Sequence, residues 1–229
     1  MSVNINPQDE SIGWKLYVGG SRLYFAKTIG SSPERFGLLW QKINPDLPLP
    51  RFSSDKSEYE SLYEWQLEHH LSLTDFRRIL LGLSREALIH AISYTKAYVK
   101  FESNTCVKPV LIAAPLSDLI KPIAGHVRFW QKIHTKISSP FSRIYLDRRK
   151  IKDFGKFWEN ANNILTTQKE MASSQNVKLQ NVSLTDWLNI LEQKLSIYEI
   201  CRQLAIEPHI LLAWLSPLIV SETLEVFPW

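Results

Sequence analysis

Glu60, Glu64 and Glu68 fall at i, i+4 and i+8, so a helix through them would line three carboxylates along one face. Carboxylates that perform acid–base chemistry need surroundings that drive their pKa values apart. Nothing apolar is interleaved on this face, so it reads as a solvated stripe. The histidines are His69, His70, His90, His126, His134 and His209. Neighbours on a helix point about 100° apart, which prevents His69 and His70 from gripping one ion together, and His126 and His134 would stand about 12 Å apart. Cys106 and Cys201 lie 95 residues apart with no third cysteine, which suggests neither a zinc framework nor a disulfide, and both read as reduced core thiols. The sequence has no G-x-S-x-G, H-E-x-x-H, Walker-type or C-x-x-C motif, and Gly155-Lys156 runs into Phe157, which cannot ligate magnesium. The expectation is a protein that is not an enzyme and takes no metal or cofactor.

Charge is the more informative property. From Ile120 to Lys156 the chain carries ten Lys or Arg against Asp147 and Asp153, net +8 in a protein of net +4. Asp55 to His70 is acidic, net −4. Arg143, Arg148, Arg149, Lys150 and Lys152 therefore form the candidate partner-binding set, beside Phe154, Phe157 and Trp158. Interfaces combine arginine and aromatic side chains with charges that steer encounter. The competing reading places the aromatics in the core and leaves both charged segments as solvated faces.

Certain elements must hold these residues. Trp14–Val18 and Arg22–Lys27 flank Gly19-Gly20-Ser21 as a hairpin. Ser32-Pro33-Glu34 opens a helix through Phe36, Leu39, Trp40 and Ile43, stopped by Asn44 and Pro45 and followed by a stiff linker with prolines at 45, 48 and 50. A helix over Ser57–His70 precedes one that Ser72 caps, with Phe76, Leu80, Leu83, Ala87 and Tyr94 on one face. Tyr98–Phe101 alternates like a third strand joining the hairpin. Pro109, Pro115 and Pro122 suggest a connection with one helical turn at Leu116–Ile120, then helices at Val127–Ile137 and Asp153–Leu165 and a mobile loop at Thr166–Lys178.

Ser183, Ser196 and Glu207-Pro208 start three short helices, and Thr223–Phe227 alternates as a closing strand, the order of a winged helix. A DNA-reading third helix would present Arg, Lys, Asn or Gln. Here Pro208–Val220 reads PHILLAWLSPLIV, suited to burial or to contact with protein. Nucleic-acid binding through the basic middle segment stands as the alternative function.

With 45% hydrophobic and 22% charged residues, the 229-residue chain can bury a full core. Its longest apolar run is far below the roughly 20 residues of a membrane span. Its first residues resemble no export signal, so a cytoplasmic location is the expectation. The fold class is α+β: a small N-terminal antiparallel sheet packed on helices over residues 1–108, a basic helical connection over 109–178, and a helical winged-helix-like module over 179–229.

The runs GWKLYVGGSRLYFAKT, SSPERFGLLWQKINPDL and SLTDFRRILLGLSREALIHAISY, in that order, resemble the PatA N-terminal (PATAN) domain of cyanobacterial CheY-like response regulators. LNILEQKLSIYEICRQLAIEPHILLAWLSPLIVSETLEV is similar to the small helical module that closes that region. The resemblance covers most of the chain and lies in pattern and order. It implies a two-component signalling adaptor acting in type IV pilus motility, phototaxis or cell patterning, by contact with proteins such as the pilus extension motor ATPase. Family members carry a receiver domain after this region. No receiver pattern occurs here, which fits either the output region of a longer regulator or a form without phosphate control.

Overall fold

The computed structural model describes residues 1–9, 11–30, 33–43, 48–52, 55–167, 179 and 181–228. The expectations for a Ser32 cap and for the stop at Asn44 and Pro45 lie outside the described residues, as does the loop expected over Thr166–Lys178 except for Thr166 and Thr167, which are helical. The protein is α+β and folds as two compact units, Met1–His134 and Thr135–Trp229. The division falls inside the segment 109–178 that the sequence reading kept together.

The first unit is built on a five-stranded antiparallel sheet: β1 (Ser2–Pro7), β2 (Trp14–Gly19), β3 (Arg22–Thr28), β4 (Ala97–Glu102) and β5 (Ala114–Pro115), in the order β4-β1-β2-β3-β5. The β2–β3 hairpin forms as expected because Gly20 and Ser21 both adopt positive φ, the requirement of a type I′ turn. Residues 98–101 are a strand, but they pair with β1, which inserts between them and the hairpin. The sequence reading missed β1, where Asn4, Asn6 and Pro7 dilute strand propensity and only Val3 and Ile5 alternate.

Three helices follow the hairpin: α1 (Pro33–Ile43), α2 (Glu58–Glu68) and α3 (Leu73–Ser93). Ser57 and Glu60 close a capping box on α2, and Ser72 accepts from the Asp75 amide on α3. Phe25, Phe36, Trp40, Tyr59, Leu62 and Phe76 belong to one buried core. The sequence reading split residues 116–137 in two, yet α4 (Leu116–Ile133) runs unbroken through Pro122. Pro122 removes one amide bond near the exposed start of the helix, while Leu119, Ile123, Val127 and Trp130 bury its apolar face and hold it together.

The second unit contains β6 (Arg143–Leu146), a 3₁₀ turn (Arg148–Lys150), α5 (Ile151–Thr167), α6 (Leu184–Glu192), α7 (Ile197–Leu204), α8 (Pro208–Val220) and β7 (Leu224–Phe227). Ser183 and Ser196 cap α6 and α7. Between α7 and α8 the chain turns 113°, with Ala205 left-handed, as a helix-turn-helix requires. The closing strand β7 pairs antiparallel with β6, so this unit recruits residues well before 179. Among the described residues no single helix is long and apolar enough to cross a membrane. The bent pair α7 and α8 has the length and composition, but Ile197, Tyr198, Ile200, Cys201, Leu211, Leu212 and Leu215 bury it inside the unit.

Candidate functional site

The basic set lies on one continuous stretch of the second unit. Asp147 follows β6 and caps the 3₁₀ turn, accepting the Arg149 amide at 2.9 Å. The Arg149 guanidinium closes on the same carboxylate from Nε at 2.9 Å and Nη2 at 2.5 Å. That pairing holds the Asp147 carboxyl down at about 2 and raises Arg149. Arg148 reaches Glu192 at the end of α6, 3.3 Å away. Arg143 donates to the Lys194 carbonyl at 2.9 Å and lies 3.7 Å from Glu199. Lys150 donates to the Glu222 carbonyl.

The arginine side chains are thus oriented without being buried: Arg148 is 78% and Arg149 88% exposed. Such exposed pairs add little stability, because water screens them and two long side chains must be ordered to form them. Lys152 and Lys156 extend the surface along α5, exposed and without a carboxylate within ion-pair distance among the described residues. Beside this stretch an open groove of about 420 Å³ runs between Lys136, Lys150, Glu222 and β7.

Of the neighbouring aromatics, Phe154 and Phe157 pack inward and Trp158 is half-buried. Phe154 is fully buried, Phe157 meets Trp214 edge-on at 5.3 Å, and Trp214 stacks on the buried Trp187 at 4.7 Å. Trp214 is half-buried, while Leu211, Leu212, Leu215 and Leu218 fill the interior. The apolar third helix is therefore spent on folding.

In the first unit Glu60, Glu64 and Glu68 are exposed, as their spacing suggested. Glu60 serves the α2 cap and Glu64 pairs with Lys56 at 2.7 Å. His69 leans on Trp65 and His70 takes a left-handed turn conformation, so both have structural employment. Cys201 is buried, but Cys106 is exposed, against the expectation that both lie in the core. It falls in the irregular stretch after β4, where the next residue, Val107, turns into the core in its place.

The sequence reading missed a buried charge cluster. Arg35 of α1 is fully buried, bonding Glu58 of α2 at 3.1 Å, Glu86 of α3 at 2.7 Å and the Leu83 carbonyl at 2.6 Å. Burial pushes the Glu58 carboxyl up, and Arg35 pulls it down less strongly. Trp14 lies 5.4 Å from this guanidinium and stacks on His90, which also meets Trp130 at 4.5 Å. Burial, with the charge of Arg35 second, pushes His90 down to about 3. Tyr94 accepts from the Trp14 indole at 2.8 Å, and burial pushes it up to about 12. The signal was positional: Arg35 precedes Leu38 and Leu39 by three and four residues, and His90 continues the row Leu83, Ala87.

This cluster fixes α1, α2 and α3 to one another, and its internal pairing suits architecture better than chemistry. Comparison with known protein families, with curated proteins and with solved structures finds no match.

Proposed function

We propose that the chain is a non-enzymatic signalling output or adaptor module that acts by binding other proteins. Its resemblance to the PATAN domain supplies the setting: the cytoplasm of a cyanobacterium, type IV pilus motility, phototaxis or patterning, and the pilus extension motor ATPase or another signalling protein as partner.

The observation that carries this reading is the engagement of the candidate arginines. Arg143, Arg148 and Arg149 each lie beside a carboxylate, Glu199, Glu192 and Asp147. A surface for nucleic acid presents unpaired cations to phosphates and gains from counterion release. Here much of the local positive charge is already neutralised, leaving a mixed-charge surface with Lys150, Lys152 and Lys156 at its cationic end. Mixed charge of this kind supports recognition of an acidic protein face, where the fixed arginines set orientation and the lysines set the encounter rate. The nucleic-acid alternative rests on the +8 of the segment alone.

The test is kinetic. Purified motor ATPase and a random DNA duplex are presented to immobilised wild type and to Lys152→Glu/Lys156→Glu across a salt series. Slower association with the ATPase at unchanged melting temperature supports the reading. Strong salt-dependent retention of DNA with no ATPase binding replaces it by the nucleic-acid alternative.

A further inference from the structure

The sheet of the first unit ends on β4, and this strand is the most exposed apolar segment of that sheet. Tyr98 is 67%, Val99 52% and Phe101 66% exposed. An edge strand with exposed apolar side chains is a template for another strand. By register, Val99 and Phe101 share a face with Ile5, Val3, Trp14 and Leu16. On that face Trp14 stacks on His90 of α3, whereas Val99 and Phe101 stay open.

The backbone shows which groups are free. Gln8 donates its amide to the Lys96 carbonyl, making that opposed pair a hydrogen-bonded one. Antiparallel ladders alternate, so Tyr98, Lys100 and Glu102 also bond to β1. Ala97, Val99 and Phe101 therefore direct their N–H and C=O groups to the open edge.

We infer that this edge pairs with β4 of a second copy of the chain, antiparallel about a two-fold axis at Val99. In this register Val99 opposes Val99 of the second copy and Ala97 opposes Phe101, so all three outward-directed residues exchange two N–H···O=C bonds with their partners. The same register sets Lys96 opposite Glu102 and Lys100 opposite the Tyr98 ring, so each charge meets a carboxylate or an aromatic face. Moving the strands by one ladder step puts Lys100 opposite Lys100 or Lys96 opposite Lys100, and leaves one outward residue beyond the strand end. Because the axis is perpendicular to the sheet, the open Val99 and Phe101 of both copies fall on one side and form one apolar strip. The self-complementary contact is isologous and closed, which limits it to a dimer.

Light scattering on the full chain after size exclusion, at high micromolar concentration, tests the inference. Wild type is expected to run as a dimer. Val99→Pro removes an amide that no strand of its own sheet uses, so it should give a monomer with unchanged circular dichroism. Val99→Lys sets like charges on the axis and serves the same purpose should the proline disturb folding. Each is expected to weaken the dimer at least about 100-fold, and Lys96→Glu about tenfold. In a Cys106→Ser background, oxidised Val99→Cys should form a disulfide-linked dimer and Tyr98→Cys should not. A monomeric wild type overturns the inference, as does a dimer that survives both Val99 variants. Occupation of β4 by a different protein, with the wild type otherwise monomeric, overturns it as well.

Discussion

Acid should weaken the first unit well before its surface carboxylates titrate, and His90 is the reason. Its ring is stacked on Trp14 and edge-on to Trp130, and burial pushes it down to about 3 from an ordinary 6.5. A histidine depressed in the folded state contributes stability above its unfolded pKa and loses it as pH falls, because only the unfolded chain takes the proton. Each pKa unit is worth about 1.4 kcal/mol. Between pH 7.5 and pH 5 the loss amounts to about 2 kcal/mol, rising to about 4 kcal/mol near pH 3. Glu102, and Asp147 in the second unit, are held at about 2 by Lys15 and Arg149 and act in the same direction, but only as pH falls through the ordinary carboxylate range and below it. Glu58, raised by burial, works in the opposite direction as it protonates. Over pH 7.5 to pH 5 the difference between wild type and a His90 variant therefore reports His90. Urea unfolding followed by tryptophan fluorescence should show the drop in wild type. It should be largely absent from His90→Phe, which keeps an aromatic ring between the two tryptophans, and from His90→Gln if the phenyl ring does not fit. An equal drop in a folded His90 variant would refute the reasoning.

Other outcomes follow from the same contacts. Arg35→Met alone should cost about 3–5 kcal/mol, because Glu58 and Glu86 lose their buried cation, and adding Glu58→Leu should recover part of the loss. A thermal melt in which Arg35→Met matches wild type would count against the cluster as an architectural element. Trp214→Ala should cost about 3 kcal/mol through its stack on Trp187, measured by denaturant titration. A thiol reagent should label Cys106 in the native protein and Cys201 only after denaturation, while neither chelator nor reductant shifts the melting temperature. Rapid native labelling of both thiols would contradict the burial of Cys201.

What the sequence made legible is what local chemistry decides. Gly20-Ser21 turns the hairpin, Ser72, Ser183 and Ser196 cap their helices, and the row from Phe76 to Ala87 marks the buried side of α3. Long-range pairing was not legible. β1 is a weak strand that both β2 and β4 stabilise, and no local feature of Ser2–Pro7 announces two partners 9 to 100 residues away. The same holds for β6 and β7, whose pairing joins residues on either side of the four helices α5 to α8. Pro122 was misread because a propensity rule about helix interiors gave way to the burial of Leu119, Ile123, Val127 and Trp130. The candidate arginines were visible as charge, but their carboxylate partners were not, since Glu192 and Glu199 belong to other helices.

That difference between charge in sequence and charge in space decides how the two proposed surfaces can contribute. An acidic partner approaching Arg148 or Arg149 exchanges one carboxylate for another, because Glu192 and Asp147 already occupy those guanidinium groups. Little net energy comes from such an exchange. The gain must come from Lys152 and Lys156 and from the speed of encounter, so reversing the lysines should slow association more than reversing the arginines. Edge pairing at β4 is different in kind. Its outward N–H and C=O groups exchange water for strand partners, each bond worth about 1 kcal/mol, and Val99 and Phe101 bury apolar surface in addition. The first surface should therefore respond strongly to salt through its association rate. The second should respond to salt only modestly, through its Lys96–Glu102 pairs, and be sensitive to a single proline.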